Sequence, residues 1–270
     1  MQKVYRYNKN ESYWEDRWEN AGVDKQTFDR LDFYPIKYAK MVIDDLSPSS
    51  EILEAGCGPG RLYFHFDERG YDMTGVDFSS TAIDHIREID PDADVEVADV
   101  RDLPFPDESF DAVLAFGLFH NFGDPQDLAA AFSETARVLK PGGRIVLSVR
   151  CDSLENHLIE YITAWKSEQR GEKEFHKLHF TRNDVEFYIT STGLTLKDVE
   201  FARNVSFLFK FDSLRAPHMR GESFDESVAR ASGFQLFEIG DAIDTTLHTL
   251  FPKQFSNELV AFAQKPETEG

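Results

Sequence analysis

The stretch densest in chemical potential runs Glu54-Ala-Gly56-Cys57-Gly58-Pro-Gly60-Arg61. It follows a short apolar run and opens a helical pattern. Glycines at such a junction let the backbone come close to a ligand, and the helix start beyond them offers amide N–H groups that no helical carbonyl takes up. The spacing narrows the ligand. A dinucleotide loop, G-x-G-x-x-G, would place its third glycine at position 61, where Arg61 stands. A phosphate-cradling loop would need Gly-Lys-Ser/Thr, which is missing here. About 20 residues further on, Asp77 closes the next apolar run, where a carboxylate can take both hydroxyls of a ribose. Asp99 closes the run after that, where a carboxylate can accept from an adenine amino group. One acid alone would read as a helix cap. A glycine loop and two acids at three successive strand ends instead line one edge of a sheet, which is where open α/β folds bind ligands.

Such an edge needs particular elements behind it. Residues 51–55, 72–77, 94–99, 110–116 and 143–149 read as strands. Ser79 or Ser80 can cap a helix that runs to about Arg87, and Asp124 with Pro125 opens another that stops at Pro141-Gly142-Gly143. Strands alternating with helices predict βαβ units and a parallel sheet with right-handed crossovers. Beyond 149 the alternation weakens: a helix over 152–170, a helix capped by Thr181 and running to about Ser191, a strand over 194–201 and a last strand over 257–264. Residues 204–256 read as an insertion between the final two strands, in which Phe207, Phe209 and Phe211 alternate as in a strand or a cap over a pocket. Near the start, Tyr13, Trp14, Arg17 and Trp18 share one helix face.

Composition excludes several classes. With 49 acidic against 29 basic residues, the net charge of −20 repels a phosphate backbone and an anionic bilayer surface, so neither nucleic acid nor membrane is expected as a partner. No stretch approaches the roughly 18 apolar residues of a membrane helix, and the first residues lack a signal-peptide apolar segment, so a cytoplasmic location is expected. Cys57 and Cys151 are the only cysteines, too few for a disulfide framework. His176 and His179 sit three apart, but no third ligand is evident, so no metal is expected.

Four segments taken together, ILEAGCGPGR (52–61), GVDFS (75–79), ADVRDLPFPDESFDAV (98–113) and VLKPGGRIV (138–146), resemble the class I S-adenosylmethionine-dependent methyltransferases of the small-molecule type. The resemblance covers about residues 50–150. It implies an α/β, Rossmann-like, seven-stranded, mostly parallel sheet with helices on both faces and an antiparallel last strand, and S-adenosyl-L-methionine as cofactor. Gly56, Gly58 and Gly60, with Cys57 among them, would approach the methionine part, and Glu54 would lie beneath it, contacting the loop or the amino group. Asp77 would bind the ribose, Phe78 would flank the adenine, Asp99 and Val100 would hold its edge, and Ala115 and Phe116 would face the methionine side. His120 is the candidate catalytic residue, as general base or substrate contact. Tyr13, Trp14, Arg17 and Trp18 resemble a lid segment that meets substrate, and Arg150 and His179 fall on the substrate side. Nucleic-acid and glutamine amine methyltransferases carry an Asn/Asp-Pro-Pro-aromatic motif where this chain reads Ala115-Phe-Gly-Leu118.

The domain expectation is a helical lid at 1–45, a methyltransferase core at 46–203 and 257–265, and a pocket cap at 204–256. The expected activity is methyl transfer to an O, N or C atom of a small-molecule acceptor, with a homodimer left open. The alternatives are a non-catalytic S-adenosylmethionine-binding regulatory or assembly protein, and a protein methyltransferase.

Overall fold

A computed structural model describes residues 1–6, 14, 18, 34–166, 172–221 and 234–267. The chain opens with β1 (Gln2–Arg6), followed after an interval by α1 (Ile36–Ile43). Regular alternation then sets in: β2 (Glu51–Ala55), α2 (Arg61–Asp67), β3 (Asp72–Asp77), α3 (Ser80–Ile89), β4 (Val95–Val97), β5 (Phe110–Phe116), α4 (Pro125–Arg137) and β6 (Leu139–Arg150). The remainder comprises α5 (Leu154–Lys166), β7 (Glu174–His179), α6 (Arg182–Ser191), β8 (Thr195–Ala202), α7 (Glu238–Leu250) and β9 (Glu258–Gln264).

Seven of these strands make one sheet in the order β4-β3-β2-β5-β6-β9-β8. The pairs from β4 through β6 are parallel, and β9 runs antiparallel to both of its neighbours. The expected fold class is therefore the observed one. The strand order changes direction between β2 and β5, so the crevice at their carboxyl ends is the topological switch point where this architecture takes ligands. The glycine loop leaves β2 there.

Alternate residues of the central strands point into two cores, as buried parallel strands require. Leu53, Val113, Ile145 and Leu147 pack with α4 and α6 on one face. Ile52, Ala112, Leu114 and Val146 pack with α1, α2 and α3 on the other. The helix starts are fixed by side chains of the expected kind. Ser79 accepts from the Ala82 amide, Asp124 from the Gln126 amide, and Thr181 forms a reciprocal capping box with Asp184.

Three expectations need correction. The third strand is short, Val95–Val97, because Asp99 turns back to accept from the Arg101 amide and leaves the ladder. The first 45 residues are not simply a helical lid. β1 pairs antiparallel with β7, and α1 buries Ile36, Tyr38, Ala39, Val42 and Ile43 against the sheet, which makes it part of the core. The alternating phenylalanines are not a strand: Phe207–Lys210 is a 3-10 turn, with Phe209 buried beside Met219 and Phe207 packed on Phe255 at 6.1 Å. No helix among the described residues is long and apolar enough to cross a membrane.

One aromatic stack ties the core to the functional edge. Phe132 of α4 lies 4.0 Å from Phe119 and 5.3 Å from Tyr188, nearly parallel to both rings. Phe119 immediately precedes His120. Phe132→Ala removes the middle ring from a site only 1% exposed, so unfolding in urea should show a loss of about 3–5 kcal/mol. Phe132→Leu, which keeps most of the volume, should lose clearly less.

Candidate functional site

The glycine loop turns through three left-handed positions, with φ of 76° at Gly56, 51° at Gly58 and 83° at Gly60. Side chains would strain this path, and at Gly60 a Cβ would also meet Ile86 Cγ1 at 2.9 Å. The curl is held from β3. The Gly56 and Cys57 amides both donate to the Val76 carbonyl, at 2.8 and 2.9 Å. The Gly58 amide donates to Asp77 Oδ2 at 2.9 Å, and the Ser79 amide donates to Asp77 Oδ1 at 3.0 Å. Asp77 is buried and thus pins both the loop and the start of α3. A carboxylate offers about four acceptor sites, so a structural duty and a ligand contact are compatible.

Glu54 lies in β2 between Gly75 and Leu114. It is buried, and its Oε2 has no hydrogen-bond partner among the described residues. Burial pushes its carboxyl up to about 8, the Tyr63 amide pulls it down, and the charge of Asp77 adds to the rise. An orphaned buried carboxylate oxygen is unfavourable. A ligand ammonium seated on the loop would satisfy it, which is the donor that the amino-acid end of S-adenosylmethionine carries. On this count the residues present fit the cofactor. Cys57 packs within the loop, its Sγ 3.2 Å from the Cβ position of Gly75.

The other expected cofactor contacts are distributed along the same edge. Phe78 is 49% exposed, as an adenine-facing ring would be. Val100 and Ala115 are buried, and Phe116 stands edge-on to Tyr34 at 5.9 Å. The Tyr34 hydroxyl bonds Ser148 Oγ at 2.6 Å, and that oxygen also accepts from the Gly117 amide, so the turn after β5 is firmly held. Asp99 has a partner that sequence spacing did not disclose. Arg101 forks onto its carboxylate with Nε 2.9 Å from Oδ2, and these hydrogen bonds hold the Asp99 carboxyl below the usual range. Arg101 also reaches Asp127 of α4 at 3.0 Å.

The N-terminal aromatics do meet the loop. A Cβ on Gly58 would lie 3.1 Å from the Trp18 ring, and Trp14 stacks on Trp18 at 5.5 Å. Tyr13 and Arg17 lie outside the described residues.

On the far side of the switch point stands His120, buried in the 3-10 turn Phe119–Asn121. Its Nδ1 accepts from the Arg150 amide at 3.3 Å. Burial, then the charges of Arg150 and Lys177, hold its pKa well below the ordinary histidine value. The ring is therefore neutral, and with Nδ1 accepting, the proton sits on Nε2. In this arrangement Nε2 is placed to donate a hydrogen bond, which suits substrate contact better than proton abstraction.

Strand β7, which has no counterpart among the expected elements, carries His176, Lys177 and His179. Arg150 ends β6 and pairs with Glu258 at 3.1 Å. Lys177 pairs with Glu160 at 3.2 Å, and Arg6 of β1 grips the same carboxylate through two bonds of 2.9 and 2.8 Å. Lys177 was missed because its only signal is a six-residue alternation whose partner strand lies some 170 positions away.

A cluster of three candidate metal ligands does exist in space, with His179 but without His176. Asp152, His157 and His179 bring one ligand atom each within 4.8 Å of one another. His157 Nε2 is, however, already 2.7 Å from Asp152 Oδ1, and His179 is pushed down to about 4 by burial and then by Lys177. The field that disfavours a proton on His179 disfavours a dication still more.

The family model described as "Methyltransferase domain" matches residues 53–147. Probable tRNA methyltransferase 9B of Mus musculus is 30% identical over 121 residues, 45% of this chain and 26% of that protein. Malonyl-[acyl-carrier protein] O-methyltransferase of Yersinia pestis is 27% identical over 172 residues, 62% of this chain and 61% of that one. The chain thus spans between about a quarter and about three fifths of the length of these relatives. A crystal structure of a SAM-dependent methyltransferase from Methanosarcina mazei matches with a TM-score of 0.58 at 21% identity, over 88% of this chain and all of that one, a likeness of fold. Residues 53–147 thus carry a methyltransferase domain, and its strand order and its glycine loop pinned by Asp77 are those of the class I S-adenosylmethionine-dependent methyltransferase fold.

Proposed function

We propose that this protein transfers a methyl group from S-adenosyl-L-methionine to an O, N or C atom of a small-molecule acceptor. The observation that carries the reading is the orphaned, buried Glu54 Oε2 beneath a left-handed glycine loop that Asp77 holds open. Glu54 and the loop would hold the amino-acid end, Asp77 the ribose, and Phe78, Asp99 and Val100 the adenine. The cofactor supplies a methyl on a cationic sulfur, already activated, so the chain's work is to position the acceptor and exclude water. Trp18, packed on the loop, suits both a cation and water exclusion. His120, with its proton on Nε2, orients an acceptor oxygen or nitrogen by donating to it. The two buried free cysteines suit a reducing, cytoplasmic setting.

A second reading, a tRNA acceptor, draws on the likeness to proteins named tRNA methyltransferase 9B. The net charge of −20 and the Ala115-Phe-Gly-Leu118 segment favour the first. Labelled methyl from the cofactor, followed into small-molecule, tRNA and protein fractions of an extract, separates the two readings. Label in none of them would favour a binding protein without transfer.

Asp77→Ala should weaken S-adenosylmethionine binding at least about tenfold by calorimetry, because loop and ribose contact fail together. Asp77→Asn, which keeps one acceptor, should fall between; unchanged affinity in both variants would remove the assignment.

Cofactor affinity should also depend on pH. A ligand ammonium favours ionised Glu54, and the free carboxyl sits at about 8. Binding must therefore expel a proton below that value, and affinity should rise from pH 6 to 8 by up to about tenfold per unit. Glu54→Gln should flatten this slope; an equal slope in both proteins contradicts the placement.

His120→Ala should lower turnover about a hundredfold with cofactor affinity nearly intact, the size of effect seen when one buried donor is lost. Because His120 stays neutral, the wild-type rate profile should show no limb near pH 6.5 that this variant removes.

A further inference from the structure

The acceptor side of the edge holds more positive than negative charge. Arg6 and Lys177 share one carboxylate, Glu160, while Arg150 has Glu258. Three cations thus stand on two acids, and the histidines facing them from the His120 turn and from β7 are held neutral chiefly by burial. Lys177 and Arg150 are largely enclosed, with side chains 12% and 20% exposed. Among the described residues the direct ion pairs of this corner therefore leave one cation in excess. Burial, and next the charge of Arg150, bring the Lys177 ammonium down to about 7, the expected sign of an ammonium short of an anion.

The donors are left open in a matching way. Arg150 meets Glu258 through Nη1, while its Nε is buried with no hydrogen-bond partner among the described residues. The Nε edge of a guanidinium presents two parallel N–H groups, the fork that fits a planar carboxylate. His179 is 1% exposed, and neither of its ring nitrogens has a hydrogen-bond partner among the described residues. A monoanion cancels the single excess charge, whereas a phosphate dianion would overshoot it and a metal cation would add to it. Arg150 closes β6, two strands from the loop after β2, a spacing of roughly 10 Å and about the reach of a small acceptor.

We propose that the methyl acceptor carries a carboxylate, bound by the free edge of Arg150 and by Lys177. This rests on the methyl-transfer reading only in calling the ligand an acceptor.

The test uses acetate as probe, with acetamide and sodium chloride as the neutral and ionic-strength controls. The Lys177 side chain is followed by NMR through a pH titration, its signal identified by its loss in Lys177→Gln. Titrations are run on the full-length protein with and without S-adenosylhomocysteine. Saturating acetate should raise the Lys177 midpoint by a unit or more, a tenfold gain in proton affinity, and acetamide should not move it. Arg150→Lys, which keeps the charge and removes the fork, should weaken acetate at least tenfold while still binding S-adenosylhomocysteine, which certifies its fold. An acetate midpoint equal to that in sodium chloride, or acetate affinity unchanged in Arg150→Lys, overturns the proposal. Inorganic phosphate raising the midpoint more than acetate does would likewise overturn the carboxylate assignment. Failure to bind S-adenosylhomocysteine with the acetate response intact would strike the methyl-transfer reading and leave the anion site standing.

Discussion

The hold of Asp77 on two backbone amides is the contact on which the functional edge depends. A loop that passes through three left-handed glycines has no regular ladder to stabilise it, and its amides must find acceptors outside the helix it introduces. The end of β3 supplies them: the Val76 carbonyl takes two amides and the Asp77 carboxylate takes Gly58 and Ser79. β2, β3 and the starts of α2 and α3 are thereby locked into one body. The charge of Asp77 in turn helps to keep Glu54 protonated until something cationic arrives.

The edge is electrically divided. On the β2, β3, β4 side stand the acids Glu54, Asp77 and Asp99, the last of them paired with Arg101. On the β5, β6, β7 side the balance is cationic, with Arg150, Lys177 and Arg6 over Glu160 and Glu258. In a chain of net charge −20, a basic corner of this kind is an island. The division suits a cationic cofactor on one half and an acidic acceptor on the other, with the neutral His120 between them.

What could be read from the residues alone was local in the chain. The loop, the acids at the strand ends and the capping serines and aspartates are short-range signals, and five of the central strands with their helices follow from them. Asp99 illustrates the limit: its place was legible, but the fork of Arg101 onto it is a matter of rotamers. His120 was legible as a position, yet its tautomer is set by an amide 30 residues away. β1 and β7 carry only five or six residues each and stabilise one another across most of the chain, so neither has a local signature. With them Lys177 and the shared Glu160 stayed hidden.

The tryptophans of this protein are placed with unusual economy. Of three, Trp14 and Trp18 stack together over Gly58, while Trp165 stands 76% exposed on α5. The molecule therefore carries a built-in optical gauge: the stacked indoles lie where their emission would respond to an occupant of the cradle, and Trp165 lies in solvent, away from that loop.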